Sequence, residues 1–297
     1  MAVQWLPLSS PKREIPDKAV ADMALRREWL LPLTRAIVKH GAIGPAYVLG
    51  DQASYLTHEH VLQVLKSKGL LRNSARAITD HLNPKHISLE SILGMVGIEG
   101  YRDIDMNGRA ALALDFSQQL PTPLFGAAAT VIDIGTLEHI FDVATAFGNI
   151  VRLLKRGGIV ILLSPVSWFD HGFLNFNPLI FKEFFSYNGF EILEHKLIVT
   201  PLTDNLIDML AVLRINKKLA SLLASWLARA SFTVNDERYS FRLFLSNIAM
   251  PAKMMSLFVA RKLSDSVSPK IPVQGMYRTE HMASSLDTGQ HICLQVR

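Results

Sequence analysis

Apolar positions are grouped most legibly over Val131–Pro165, VIDIGTLEHIFDVATAFGNIVRLLKRGGIVILLSP. The stretch opens on an apolar run, Val131–Ile134. It passes Thr136, Glu138 and His139 and enters a segment with helical apolar spacing, Val143 to Leu154. The pair Gly157-Gly158 reads as a helix stop, and a second apolar run follows, Ile159–Leu163. Short uninterrupted apolar runs suit strands buried on both faces. A helix between two such strands is the βαβ unit of a parallel sheet.

The same reading extends along the chain. Residues 1–16 hold Pro7, Pro11 and Pro16 and read as an irregular lead-in; a helix runs from Asp17 to about His40, with Pro32 as a kink or break. Ala46–Leu49 is the first strand and ends in Gly50-Asp51. Thr57 is an N-cap for the helix through Val61 and Leu65, which Gly69 ends, and Leu89–Val96 is a further helix. Gly100–Asp105 and Ala110–Asp115 are the second and third strands, and the opening stretch supplies the fourth and fifth. Pro178 begins a helix that stops at Gly189, Phe190–Val199 is the sixth strand, and Met255–Lys262 the seventh. Residues 204–232 read as helical and strongly apolar, serving as core, as a cover for the substrate site, as a dimer face or as a peripheral membrane contact. The tail from Ser264 reads as loosely ordered.

In open α/β sheets ligands bind beyond the carboxyl ends of the strands. The polar residues there are Gly50 and Asp51 after the first strand, Asp105 after the second, Asp115 after the third, and Gly135, Thr136, Glu138 and His139 after the fourth. A carboxylate at the second strand's end can accept from a ribose diol, and one at the third from a purine amine; either is also a turn former. Glu138 and His139 either face a ligand or cap the helix that follows. Asp170 and His171 lie beyond the fifth strand, where His171 can take a proton from an acceptor nucleophile or simply fix backbone.

The order of these motifs resembles class I S-adenosylmethionine-dependent methyltransferases, in particular bacterial small-molecule types. DID followed by LALDFSQQLP resembles that family's ribose-side and adenine-side acidic positions, and TVIDIGTLEHIFDVATAFGNIVRLLKRGGIVILLSP its fourth strand, EH loop, helix and fifth strand. HGFLNFNPLIFKEFFSYNGFEIL resembles the segment that follows. The resemblance implies a Rossmann-like α/β fold with a mostly parallel seven-stranded sheet, an antiparallel final strand, and extra helices at the N-terminus and before that strand. It implies S-adenosyl-L-methionine as cofactor and methyl transfer to a small-molecule acceptor. Asp105 would hold the ribose, Asp115 the adenine side and Gly50 the close approach to the amino acid portion, with Asp51, Gly135, Thr136 and Glu138 around the cofactor. Asp170 and His171 would handle the acceptor. Residues 1–40 would form a helical cap, 41–263 the methyltransferase-like domain with a helical insertion at 204–250, and 264–297 the tail.

The family's loop after strand one usually carries several glycines; AYVLGDQASYL carries one. This motivates a second reading, a methyltransferase-fold binding or scaffold protein without catalysis. A nicotinamide-dependent oxidoreductase ranks behind both, because no G-x-G-x-x-G follows the first strand.

Composition narrows the setting. The 297 residues are 49% hydrophobic and 19% charged, a globular balance. The net charge of +5 comes from 31 basic residues interspersed with 26 acidic ones, without the basic block or aromatic-basic ladder of a nucleic-acid binder. The single cysteine, Cys293, allows no internal disulfide and no zinc cluster by cysteine spacing. His58-x-His60 has no carboxylate cluster beside it, so no metal site is expected. No signal-peptide core or spanning segment is evident, and a cytoplasmic protein is expected.

Overall fold

The computed structural model describes residues 24–73, 86–168, 171–199, 231–234, 237–240 and 254–275. Its centre is a seven-stranded sheet. In chain order the strands are β1 (Ala46–Leu49), β2 (Tyr101–Asp105), β3 (Leu112–Ala113), β4 (Ala128–Ile134), β5 (Leu154–Ser167), β6 (Phe190–Val199) and β7 (Met254–Lys262). Their spatial order is 3-2-1-4-5-7-6. β1 pairs parallel with β2 and β4, and β4 with β5, whereas β7 runs antiparallel to both β5 and β6. The helices are α1 (Arg27–His40), α2 (His58–Ser67), α3 (Leu89–Met95), α4 (Val143–Leu153) and α5 (Leu179–Tyr187).

The apolar runs make this sheet because both faces are covered. Side chains alternate across the pleat. Ile132, Ile134, Ile159, Ile161, Leu163, Leu257 and Val259 join the core under α1, α2 and α3. Their neighbours Val131, Val160, Leu162, Phe258 and Ala260 join the core under α4 and α5. Each fully buried Leu, Ile, Val or Phe contributes about 1.5–3 kcal/mol relative to exposure. With both faces buried, no polar residue is needed at every second position, which is why the strands read as unbroken runs.

Local signals account for the ends. Thr57 caps α2, its Oγ1 accepting from the His60 N–H at 3.3 Å. Gly41 closes α1 at φ 69°, in the left-handed region glycine enters freely. Asp142 caps α4, accepting from the Thr145 N–H at 3.1 Å. Glu138 and His139 therefore do not cap that helix; they lie in a separate 3₁₀ turn, Leu137–His139.

Four expectations are corrected. α1 begins at Arg27, because Ala24–Leu25 already pairs as a short parallel strand with Ala53–Ser54, and it continues through Pro32; residues 17–23 lie outside the described ones. The pair Gly157-Gly158 does not stop α4. That helix ends at Leu153 and passes directly into β5, where the register against β4 jumps from Ala128↔Leu154 to Thr130↔Ile159. Gly157, at φ 78°, serves that irregular stretch of strand. The third strand is two residues rather than six. The helical reading of 204–232 fails at its described end, where Ser231–Val234 and Glu237–Ser240 form an antiparallel pair; residues 204–230 lie outside the described residues. Among the described residues no helix is long and apolar enough to cross a membrane.

Candidate active site

The carboxyl ends of β1, β2 and β4 meet at one edge of the sheet. Gly50 turns out of β1 at φ 80°, and its N–H donates to the Ile104 carbonyl at 2.8 Å. A Cβ there would lie 2.5 Å from Thr136 Oγ1 and 2.8 Å from Gln52 Nε2. The Thr136 hydroxyl donates to the Leu49 carbonyl at 2.8 Å and accepts from Gln52 Nε2 at 2.9 Å. Gly50 thus lets a threonine from the β4 loop seat against β1.

Asp105, at the end of β2, holds two loops. Its Oδ2 accepts from the Asp51 N–H at 2.8 Å and its Oδ1 from the Asn107 N–H at 2.9 Å. Asp51 turns outward to Arg109 at 2.7 Å and Asn107 Nδ2 at 2.8 Å. Asp115 accepts from the Ser117 N–H and hydroxyl at 2.8 and 2.6 Å, the turn-forming role aspartate commonly takes.

A cavity of about 500 Å³ opens between these strand ends. Asp105, Asp115 and Thr136 line it, with Met106, Phe116, Ile140 and Phe141 as apolar walls and His139 at one side. This is the balance of a small-molecule site, mostly apolar with a few placed polar groups. Of the residues singled out from the sequence, Gly50, Asp51, Gly135, Glu138 and His171 are not among those lining it. Asp170 lies outside the described residues.

Behind His139 the chain buries an acidic and imidazole cluster. Glu138 is 0% exposed, and neither carboxylate oxygen has a hydrogen-bond donor among the described residues. Burial pushes its carboxyl up to about 8. His171 Nε2 lies 3.5 Å from Glu138 Oε1. The His171 ring stacks on Trp168 at 3.7 Å and meets His139 edge to face at 4.9 Å. Asp133, in the middle of the apolar run of β4, is also fully buried, and burial and the nearby Glu138 charge raise its pKa. Its Oδ1 accepts from the Thr136 and Leu137 N–H groups at 3.0 and 3.3 Å, which shapes the turn that carries Glu138 and His139.

Sequence reasoning did not bring Glu138, His139 and His171 together, nor did it name Met106, Phe116 and Phe141. The available signals were a lone acid inside the apolar run VIDI and a glycine after His171. Neither indicates that residues 138 and 171 meet.

No family model matches the chain, and no curated protein matches it. Among solved structures it is similar to an S-adenosylmethionine-dependent methyltransferase from Archaeoglobus fulgidus, at 12% identity over 80% of this chain and 95% of that one, TM-score 0.39. It is similar to Haemonchus contortus phosphoethanolamine N-methyltransferase 2 at 14% identity over 84% of this chain and 58% of that one, TM-score 0.37. The chain thus spans little more than half the length of the Haemonchus protein. It is also similar to the [4+2]-cyclase SpnF, at 15% identity over 78% and 80%, TM-score 0.36. The sheet, seven strands in the order 3-2-1-4-5-7-6 with β7 reversed, is a mostly parallel, Rossmann-like α/β sheet.

Proposed function

We propose that this chain is an S-adenosylmethionine-dependent methyltransferase acting on a small-molecule acceptor. The observation that carries the proposal is the cavity at the strand ends, with carboxylates at Asp105 and Asp115 and apolar walls at Met106, Phe116, Ile140 and Phe141. That lining fits an adenosine: a planar apolar base between apolar side chains, and hydroxyl and amine donors toward carboxylates. Asp105 would hold the ribose and Asp115 the adenine side. When bound, the cofactor supplies a methyl group already activated on a sulfonium. The chain then has to align the reactants and exclude water. Phe141 and Phe173, exposed and paired edge to face at 5.7 Å, would shield the acceptor end from water. His139 would border the acceptor, with the His171 ring packed edge to face behind it at 4.9 Å. In this reading 41–263 is the catalytic domain, 1–40 a cap and 204–250 an insertion, whose described part is a β-hairpin.

One observation favours the scaffold reading. The Cβ side of Gly50 is filled by Thr136 and Gln52, and both Asp105 oxygens already accept from backbone N–H groups. Calorimetric titration with S-adenosylmethionine and with S-adenosylhomocysteine separates the two. Methyltransferase function requires binding at one equivalent, weakened roughly 10- to 100-fold in Asp105→Asn by loss of a charged acceptor. No binding at millimolar ligand would sink the enzyme and leave the scaffold.

A further inference from the structure

The structure assigns to Glu138, His139 and His171 a site for a divalent first-row transition cation of the zinc type, with its open coordination position toward the cavity. One donor atom from each residue lies within 4.8 Å of the other two. A tetrahedral ion with bonds near 2.1 Å needs donors about 3.4 Å apart. Glu138 Oε1 and His171 Nε2 already stand at 3.5 Å, close to that spacing. Two imidazoles and a carboxylate suit zinc, cobalt or nickel rather than magnesium or calcium. Three protein ligands with a fourth position open is the arrangement of reactive rather than purely structural zinc.

The Glu138 side chain is the independent observation that points to a ligand. It is 0% exposed, and both oxygens lack a hydrogen-bond donor among the described residues. A buried carboxylate in that state is costly unless a cation or a proton compensates it. The fold has made room for it on two sides. Gly135 at φ 84° and Gly172 at φ 68° flank it, and a Cβ on them would lie 3.1 Å from Glu138 Oε1 and 2.9 Å from Glu138 Cγ. The Phe173 N–H donates to the Glu138 carbonyl at 2.8 Å, tying the two loops that carry the donors. The His171 ring is held in plane against Trp168, and the Arg26 guanidinium sits 5.0 Å over the Trp168 ring. His139 is the one member of the three on the cavity wall, so a bound cation would be reached from the cavity. None of this depends on S-adenosylmethionine.

The test uses the full chain, freed of any affinity tag, stripped with chelator and titrated with Zn²⁺ or Co²⁺ by calorimetry and visible absorption. One equivalent should bind, and Co²⁺ should give the intense visible bands of a four-coordinate site. Glu138→Gln and His171→Ala should each weaken binding by more than the roughly 100-fold that loss of an outer-shell partner costs. His58→Ala, on α2, should leave it unchanged. Absence of stoichiometric binding by the wild type overturns the site, as do weak six-coordinate cobalt bands, full binding by Glu138→Gln, or loss in His58→Ala. Circular dichroism on each variant establishes folding. Should a variant not fold, the wild-type cobalt spectrum decides alone. A site empty of metal would mean that Glu138 is instead kept neutral by a proton beside His171.

Discussion

Lys262 is a lysine in the core. It is 1% exposed, and its Nζ donates to the Val151 carbonyl at 2.6 Å and the Leu154 carbonyl at 2.8 Å. The Val151 carbonyl lies in the last turn of α4 and the Leu154 carbonyl just past its end, where a helix leaves its last acceptors without intrahelical donors. An ammonium placed there also complements the helix dipole. Burial lowers the Lys262 pKa. Lys262→Met fills the volume but leaves both carbonyls without their donor. It should cost about 2 kcal/mol, read as a lower denaturant midpoint with an unchanged m-value. In the sequence Lys262 is only the polar end of MSLFVARK. Asp133 is the same kind of residue: its acid is conspicuous inside VIDI, yet its partners, the Thr136 and Leu137 N–H groups and the Ser164 hydroxyl, emerge only from the turn and from the neighbouring strand.

At the scale of elements, β6 is tied to the end of α1 through one carboxylate. Glu194 Oε2 takes Lys39 at 2.6 Å and His40 at 2.8 Å, and Oε1 takes Lys196 at 2.7 Å. Partial burial pushes this carboxyl up, but hydrogen bonds from Lys196, Lys39 and His40 outweigh it and hold the pKa down to about 2. A depressed carboxyl contributes stability that is fully present above its ordinary value of 4.5 and is lost as pH falls through about 2. Thermal melts across that window should show an acid-side loss that Glu194→Gln flattens. Both lysines are exposed, so screening should hold the effect to about 1 kcal/mol, and added salt should shrink it. The strand and the C-terminal part of the helix that frame this contact were legible from periodicity and from the punctuation at Gly41 and Gly189. The direct passage of α4 into β5 was not, because a glycine pair signals a break in direction without saying whether a helix or a strand bears it.

At the scale of the whole molecule, the cavity and the buried cluster share one edge of the sheet but draw on different parts of the chain. The cavity is built mainly from the loops after β2, β3 and β4, the cluster from the loops after β4 and β5. A ligand that binds only the folded chain stabilises all of it. S-adenosylmethionine at 100 times its dissociation constant should add about 2.7 kcal/mol and raise Tm accordingly. An unchanged Tm at saturation would contradict binding to the folded state. By itself the sequence determined most strands and helix ends, a parallel sheet, and the acidic residues at the strand ends. Those follow from local physics: apolar run length, 3.6-residue spacing, caps and turns. Only the tertiary structure decided that Gly50 seats Thr136, that Asp105 clamps two loops, that Lys262 caps a helix, and that Glu138 and His139 meet His171. Those pairings join residues tens of positions or more apart, and a pattern that repeats every two or four residues carries no information about them.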